Sequence, residues 1–169
     1  VVHLLYTTGH TAPAGADLVR VELVERALEL ARLLSSLMPD EREVRGLVAL
    51  IMVTDARRLT RVTPDGRLLL LEEQDRSKWD HAMIAEGAEL VVESLRGGRP
   101  GRFGLQAAIA ALHAQAPSYA ETDWVQVLGL YDELLRVWPS PVVALNRVVA
   151  LAMVRGPGEA VEAMRLLEL

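Results

Sequence analysis

The chain has 169 residues, 51% apolar and 24% charged, enough for a folded domain with a sizeable core. Its net charge of −5 argues against a general basic face for gripping phosphates, although all but Lys78 of its 18 basic residues are arginine and Arg57, Arg58 and Arg61 cluster. With no cysteine it has neither disulfides nor thiolate metal sites, which suits a reducing cytoplasm, and no apolar run is longer than 47–53, which is far too short to span a bilayer.

Aromatic residues make up only 4%, so the core has to be built from Leu, Val and Ala, two of which favour helix intrinsically. Residues 1–8 read as the end of a first helix, and 11–16, with Pro13 and Gly15, as a loop. A strong amphipathic pattern runs from Asp17 to Met38 and stops at Pro39. Asp40 is the expected cap of a helix over 41–62, which ends at Pro64-Asp65-Gly66. Arg67 to Leu71 is the one strand-like stretch; lacking an obvious partner, it reads as an extended, buried connector. Ser77 is the expected cap of the next helix, with Asp80 in a capping-box position and Gly97-Gly98-Arg99-Pro100 as the stop. Helices follow at 103–116, 123–137 (capped by Thr122), 141–155 (capped by Ser140) and 158–168. The chain opens on Val1 in one helical pattern and stops at Leu169 in another, so we expect a piece of a longer protein.

Asn146, Ala150 and Ala160 fall at tetratricopeptide spacing, and Trp124-x3-Leu128-Gly129-x-Tyr131 resembles the first-helix pattern one position out of register. The expected fold is all-α, with antiparallel helix pairs forming a short tetratricopeptide-like array. Residues 1–100 would hold an N-terminal helical part with the 65–77 connector and 101–169 the repeat-like pairs, within one continuous domain.

Several polar residues land on apolar stripes. Val44, Leu47, Val48, Ile51, Leu59 and Val62 share a helix face with Asp55 in its middle. Val24, Ala27, Leu28, Ala31 and Leu34 share another with Arg20 at its edge. An unpaired carboxylate in a core is costly, so Asp55 is expected to pair with Arg20 or Arg58. Asn146 falls in the stripe of Val142, Val149 and Met153, Asp132 flanks that of Leu128, Tyr131 and Leu135, and Asp80 follows the face of Met83, Gly87 and Val91. Such groups are either satisfied inside the core or converge on a concave surface that receives a peptide or another domain.

The densest set of directional hydrogen-bonding groups is Glu73-Gln74-Asp75-Arg76-Ser77-Lys78-Trp79-Asp80. Two readings compete: a docking surface around Asp75, Arg76, Trp79 and Asp80, or a lock in which Trp79 fills a gap while Asp75 and Arg76 pin the connector. His3, His10, His81 and His113 lack zinc-ligand spacing, and the glycine pairs lack the Lys-Ser/Thr of a phosphate loop. No metal or cofactor is expected, and an enzyme would need groups such as Asp80, His113 and Asp132 gathered around a cleft.

Asp55-Ala56-Arg57, Asp65-Gly66 and Gln74-Asp75-Arg76-Ser77-x-Trp79-Asp80 are followed by Ile84 and Gly87. Further on come Asp123-Trp124, Leu130-Tyr131-Asp132 and Pro139-Ser140-Pro141-Val142-Val143-x-Leu145-Asn146-Arg147. In this order the set resembles the C-terminal, tetratricopeptide-like extension of a subgroup of extracytoplasmic-function (ECF) bacterial sigma factors. Where such proteins have an Asn-Glu-Gly-Tyr-like element, this chain has Thr7-Thr8-Gly9-His10. The resemblance implies sigma domains ahead of residue 1 that bind polymerase and promoter, DNA being reached only through them. It implies a regulatory role here, through contacts with those sigma domains, RNA polymerase or a signal protein. Candidate contact or network residues are Arg20, Asp55, Arg57, Gln74, Asp75, Arg76, Trp79, Asp80, Trp124, Tyr131, Asp132, Asn146 and Arg147. A rival reading is a small-ligand sensor with a pocket near Trp79, Trp124 and Tyr131.

Overall fold

Three of the helices begin where an aliphatic run follows a carboxylate that accepts from a free N–H of the first turn. The structure, a computed structural model, describes the backbone of residues 1–11 and 17–167 and the side chains of 1–8 and 21–167. Its helices are α1 (Val2–Thr11), α2 (Asp17–Leu37), α3 (Arg42–Asp55), α4 (His81–Leu95), α5 (Arg102–Gln115), α6 (Trp124–Val137), α7 (Pro141–Arg155) and α8 (Pro157–Arg165). Among the described residues there is no β-strand, only one isolated bridge between Val62 and Leu68. Each helix packs on the next, from α1 on α2 to α7 on α8, with residues 56–80 forming a long link between α3 and α4, so the expected all-α array is what forms. The expected loop at 12–16 and the last residues of the final helix lie outside the described residues.

The array is organised around α3. Every residue from Gly46 to Val53 is buried, because α2, α4 and α5 all pack on this one helix. A helix that is apolar all round belongs in an interior. One side of α3 joins Tyr6, Val24, Ala27 and Ala31, and the other joins Trp79, Ile84, Val91, Ala107 and Ala111. A third cluster, with Leu105, Ile109, Val127, Leu134 and Val143, ties α5 to α6 and α7.

α3 is shorter than its apolar pattern suggested, and the reason is tertiary. It ends at Asp55, not near Val62, because the Ala56 carbonyl accepts from Asp80 N–H at 2.9 Å. Thr60 N–H, which would bond that carbonyl in a continuing helix, turns to the Arg57 carbonyl at 3.1 Å and makes a 3₁₀ turn. Leu59 and Val62 are consequently exposed. The 67–71 stretch is likewise extended but not buried: Leu68 and Leu70 face solvent, and its backbone pairs with 61–63 around the Gly66 turn, where φ is 88°. Three caps also move by one to three residues. Glu41 caps α3, Asp80 caps α4 and Asp123 caps α6, where Asp40, Ser77 and Thr122 were expected. In each case a carboxylate stands directly before the first helical residue and takes the role.

α3 and α5 touch backbone to backbone. A Cβ on Gly46 would lie 2.5 Å from the Gly104 nitrogen, whereas one on Gly129, on α6, would meet nothing. Gly46→Ala should therefore cost about 1–3 kcal/mol by forcing the two helices apart. Gly129→Ala should stabilise by about 0.5–1 kcal/mol through helix propensity. Urea unfolding of the two variants beside the parent chain checks both signs.

Candidate functional site

Within 73–80, the residues divide into an exposed cap and an internal lock. Asp75 stays exposed and accepts from Ser77 N–H at 3.1 Å and Ser77 Oγ at 2.6 Å; these two bonds hold its carboxyl below the usual range. That shapes the 3₁₀ turn Arg76–Lys78 and throws Trp79 inward. Trp79 is 4% exposed, so it is a core residue and presents no docking surface. Its indole N–H donates to Thr60 Oγ1 at 2.8 Å, and the Arg76 guanidinium stacks 4.5 Å from its ring. Arg76 Nη1 also donates to the carbonyls of His113 and Ala116, at 2.6 and 2.8 Å, where α5 ends. Gln74 Nε2 donates to the Leu69 carbonyl at 3.3 Å and so closes the connector on itself. Arg57 lies 5.7 Å from the Trp79 ring, its pKa lowered to about 10 by burial and then by Arg61. Arg57 Nε, Arg76 Nη2 and His113 Nδ1 are buried with no hydrogen-bond partner.

Of the three other carboxylates singled out from sequence, two are paired with arginine. Asp55 takes a forked contact from Arg58, Nε to Oδ1 at 2.7 Å and Nη2 to Oδ2 at 2.5 Å, which raises the arginine's pKa. The Arg20 side chain lies outside the described residues. Asp132 accepts from Arg147 Nε at 2.5 Å, a strut between α6 and α7. Asp80 is the α4 cap, accepting from Met83 N–H at 2.9 Å. Asp80, His113 and Asp132 thus do different structural jobs, and among the described residues no three His, Asp or Glu side chains gather as a metal-ligand set.

Beside the lock opens a pocket of 290 Å³. It is lined by Trp124 and Tyr131 of α6, Asn146 and Val149 of α7, His113 of α5, Tyr119, and the connector residues Leu70 to Glu72. Trp124 fixes the rings: it meets His113 and Tyr119 edge-on, with centroids 5.1 and 5.0 Å apart, while its N–H donates to the Tyr119 carbonyl at 3.2 Å. Burial raises the Tyr131 pKa, and Tyr119 is raised by burial and then by the Glu72 charge. His113 is pushed down to about 4, first by burial and then by Arg57 and Arg76, so the imidazole is neutral near pH 7. Arg76 and Ser77 edge a second hollow of 530 Å³ between α4 and the end of α5.

Of the residues singled out from sequence, the pocket brings together Trp124, Tyr131 and Asn146. Trp79 serves the lock behind it, although a pocket near it was expected. Asn146 is exposed, not buried: the stripe of Val142, Val149 and Met153 faces outward, and α7 packs through Val143, Val148 and Ala150. Both faces of α7 are aliphatic, so periodicity could not choose between them. Sequence reasoning missed Leu70, Glu72 and Tyr119. Tyr119 carried a signal, an aromatic residue in an interhelical loop.

The His113 shift makes stability depend on pH. Its folded pKa is below its unfolded value, so the unfolded chain binds the extra proton first and stability falls as pH drops from 6.5 towards 4. The melting temperature should decline across that window, and His113→Phe should flatten the decline even if it shifts the whole curve.

Comparison with known proteins gives two findings. The chain is 42% identical over 157 residues to an uncharacterized protein of Rhizobium meliloti (strain 1021); the match covers 93% of this chain and 37% of that relative. No solved structure matches. Residues 1–95, which include α1 to α4, the connector and the Trp79 lock, match a family of unknown function, DUF6596, and the chain belongs to that family.

Proposed function

We propose that this chain is an accessory, regulatory domain of an ECF sigma factor that acts by docking a protein segment in the 290 Å³ pocket between the connector and α6–α7. The observation that carries the docking role is the state of the pocket wall. Asn146, Tyr131 and Glu72 have no hydrogen-bond or ion-pair partner among the described residues, and they sit beside rigidly held aromatic rings. Most other polar groups of the motifs, Asp55, Asp75, Asp80, Asp132 and Arg147 among them, are engaged in caps, struts or the lock. Polar groups without a protein partner, set around aromatic rings, suit recognition by contact. The assignment to sigma factors rests on the order of the motifs from Asp55 to Arg147. It is compatible with the acidic balance of the chain and with a relative in which the matching region is part of a longer protein. The partner would be the sigma domains of the same polypeptide, RNA polymerase or a signal protein.

A sensor of small ligands is the second reading, favoured by a pocket volume near the lower end of ordinary ligand sites. A ligand-dependent rise in melting temperature would identify it.

Tyr131→Ala in the full-length protein tests the docking role against the lock. A well-packed aromatic contact is worth about 2 kcal/mol, so promoter-dependent transcription should fall by roughly thirtyfold beyond what the loss of melting temperature explains, since Tyr131 also packs on the cluster that ties α5 to α6 and α7. Arg76→Ala should lower the melting temperature markedly and activity only in proportion. Unchanged transcription with Tyr131→Ala would remove the docking role.

A further inference from the structure

The chemistry of the same pocket selects a kind of occupant, an argument that rests on the docking role proposed above. The one formally charged residue on its wall is Glu72. Glu72 is exposed and makes no ion pair among the described residues, whereas its neighbour Glu73 is engaged by Arg67 at 3.0 Å and by Leu70 N–H at 2.7 Å. Sharing the pocket lining with Glu72 are Tyr119, whose pKa the Glu72 charge raises, Trp124, Tyr131 and the imidazole of His113. Ring faces and a free carboxylate both attract a cation and both disfavour an anion. The volume of 290 Å³ admits one long side chain and excludes a helix or strand.

Arg57 and Arg76 oppose a cation, since both act on His113 from the lock side. Their heads, however, are held against Trp79, and Arg76 is further bound by the His113 and Ala116 carbonyls. Neither belongs to the pocket wall, and the neutral imidazole adds no charge of its own. Glu72 is exposed, so a charged head paired with it stays in contact with water while the alkyl stem lies across the aromatic rings.

We propose that the pocket receives a lysine or arginine side chain of a protein partner. Glu72 pairs with its charged head, the aromatic rings pack its alkyl stem, and the Asn146 amide bonds the adjoining backbone. The division of labour is that of a long basic side chain: apolar along its length and charged at its tip.

Three capped tripeptides, with arginine, leucine or glutamate between two alanines, test this on the 169-residue chain. The reporter is the indole N–H resonance of Trp124, inside the pocket wall; that of Trp79, sealed in the core, is the control. The arginine peptide should shift the Trp124 signal and leave Trp79 in place, and the other two should leave both. Glu72→Gln, at an exposed position, should weaken the arginine peptide by about fivefold. Equal binding of the leucine peptide, preference for the glutamate peptide, no shift with arginine, or an unaltered affinity in Glu72→Gln would each overturn the proposal. The two readings fail separately. Arginine binding beside intact transcription in Tyr131→Ala rejects the docking role alone, and lost transcription without arginine binding rejects only the basic occupant.

Discussion

The seating of Trp79 decides the rest of the architecture. Burying a tryptophan removes about 150–250 Å² from water, which at roughly 25 cal/mol per Å² contributes on the order of 4–6 kcal/mol. Its cost, an indole N–H taken out of water, is met by Thr60. That contact exists only because α3 stops at Asp55 and turns into a 3₁₀ segment, and the stop is made by Asp80, the residue after Trp79. The same few residues therefore end one helix, start the next and fill the space between them. Arg76 extends the lock to the far end of α5, joining the N-terminal helices to the repeat-like pairs.

The lock is also electrostatically incomplete, which explains the character of its surroundings. Two guanidinium groups share one indole, and among the described residues no carboxylate reaches either within ion-pair distance, Asp55 being held by Arg58. Cation–π contact and carbonyl acceptors replace an ion pair. The positive field that results falls on His113, and together with burial it holds that imidazole neutral. A neutral ring can pack edge-on against Trp124 without bringing a second charge into the pocket wall.

Much of this fold was legible in the sequence because local chemistry and global packing agree over most helices. The ends of α2 and α7 follow directly from Pro39 and from Ser140-Pro141. The end of α3 was not legible, since the competing donor comes from 24 residues later, at Asp80. The segment around Trp79 announced its importance through composition, but a buried tryptophan and a surface one leave the same local signature. Burial places Trp79 in the core. The pocket was half visible: Trp124, Tyr131 and Asn146 lie at helical spacing, while Glu72 and Leu70 reach it from a connector whose path depends on the lock.

That dependence links the two halves of the site. One wall of the pocket belongs to α6 and α7, and the other belongs to a connector that Gln74, Arg76 and Trp79 hold in place. The pocket has its shape only while Trp79 is seated. Whatever binds between the walls must then favour the seated state by its full binding free energy, since the unseated state has no such cleft to offer. The exchange is reciprocal: loosening the lock weakens binding by as much as binding tightens the lock. A docking site built this way would report on the integrity of the junction between the N-terminal helices and the array, and a partner that needs both walls would recognise only the locked arrangement.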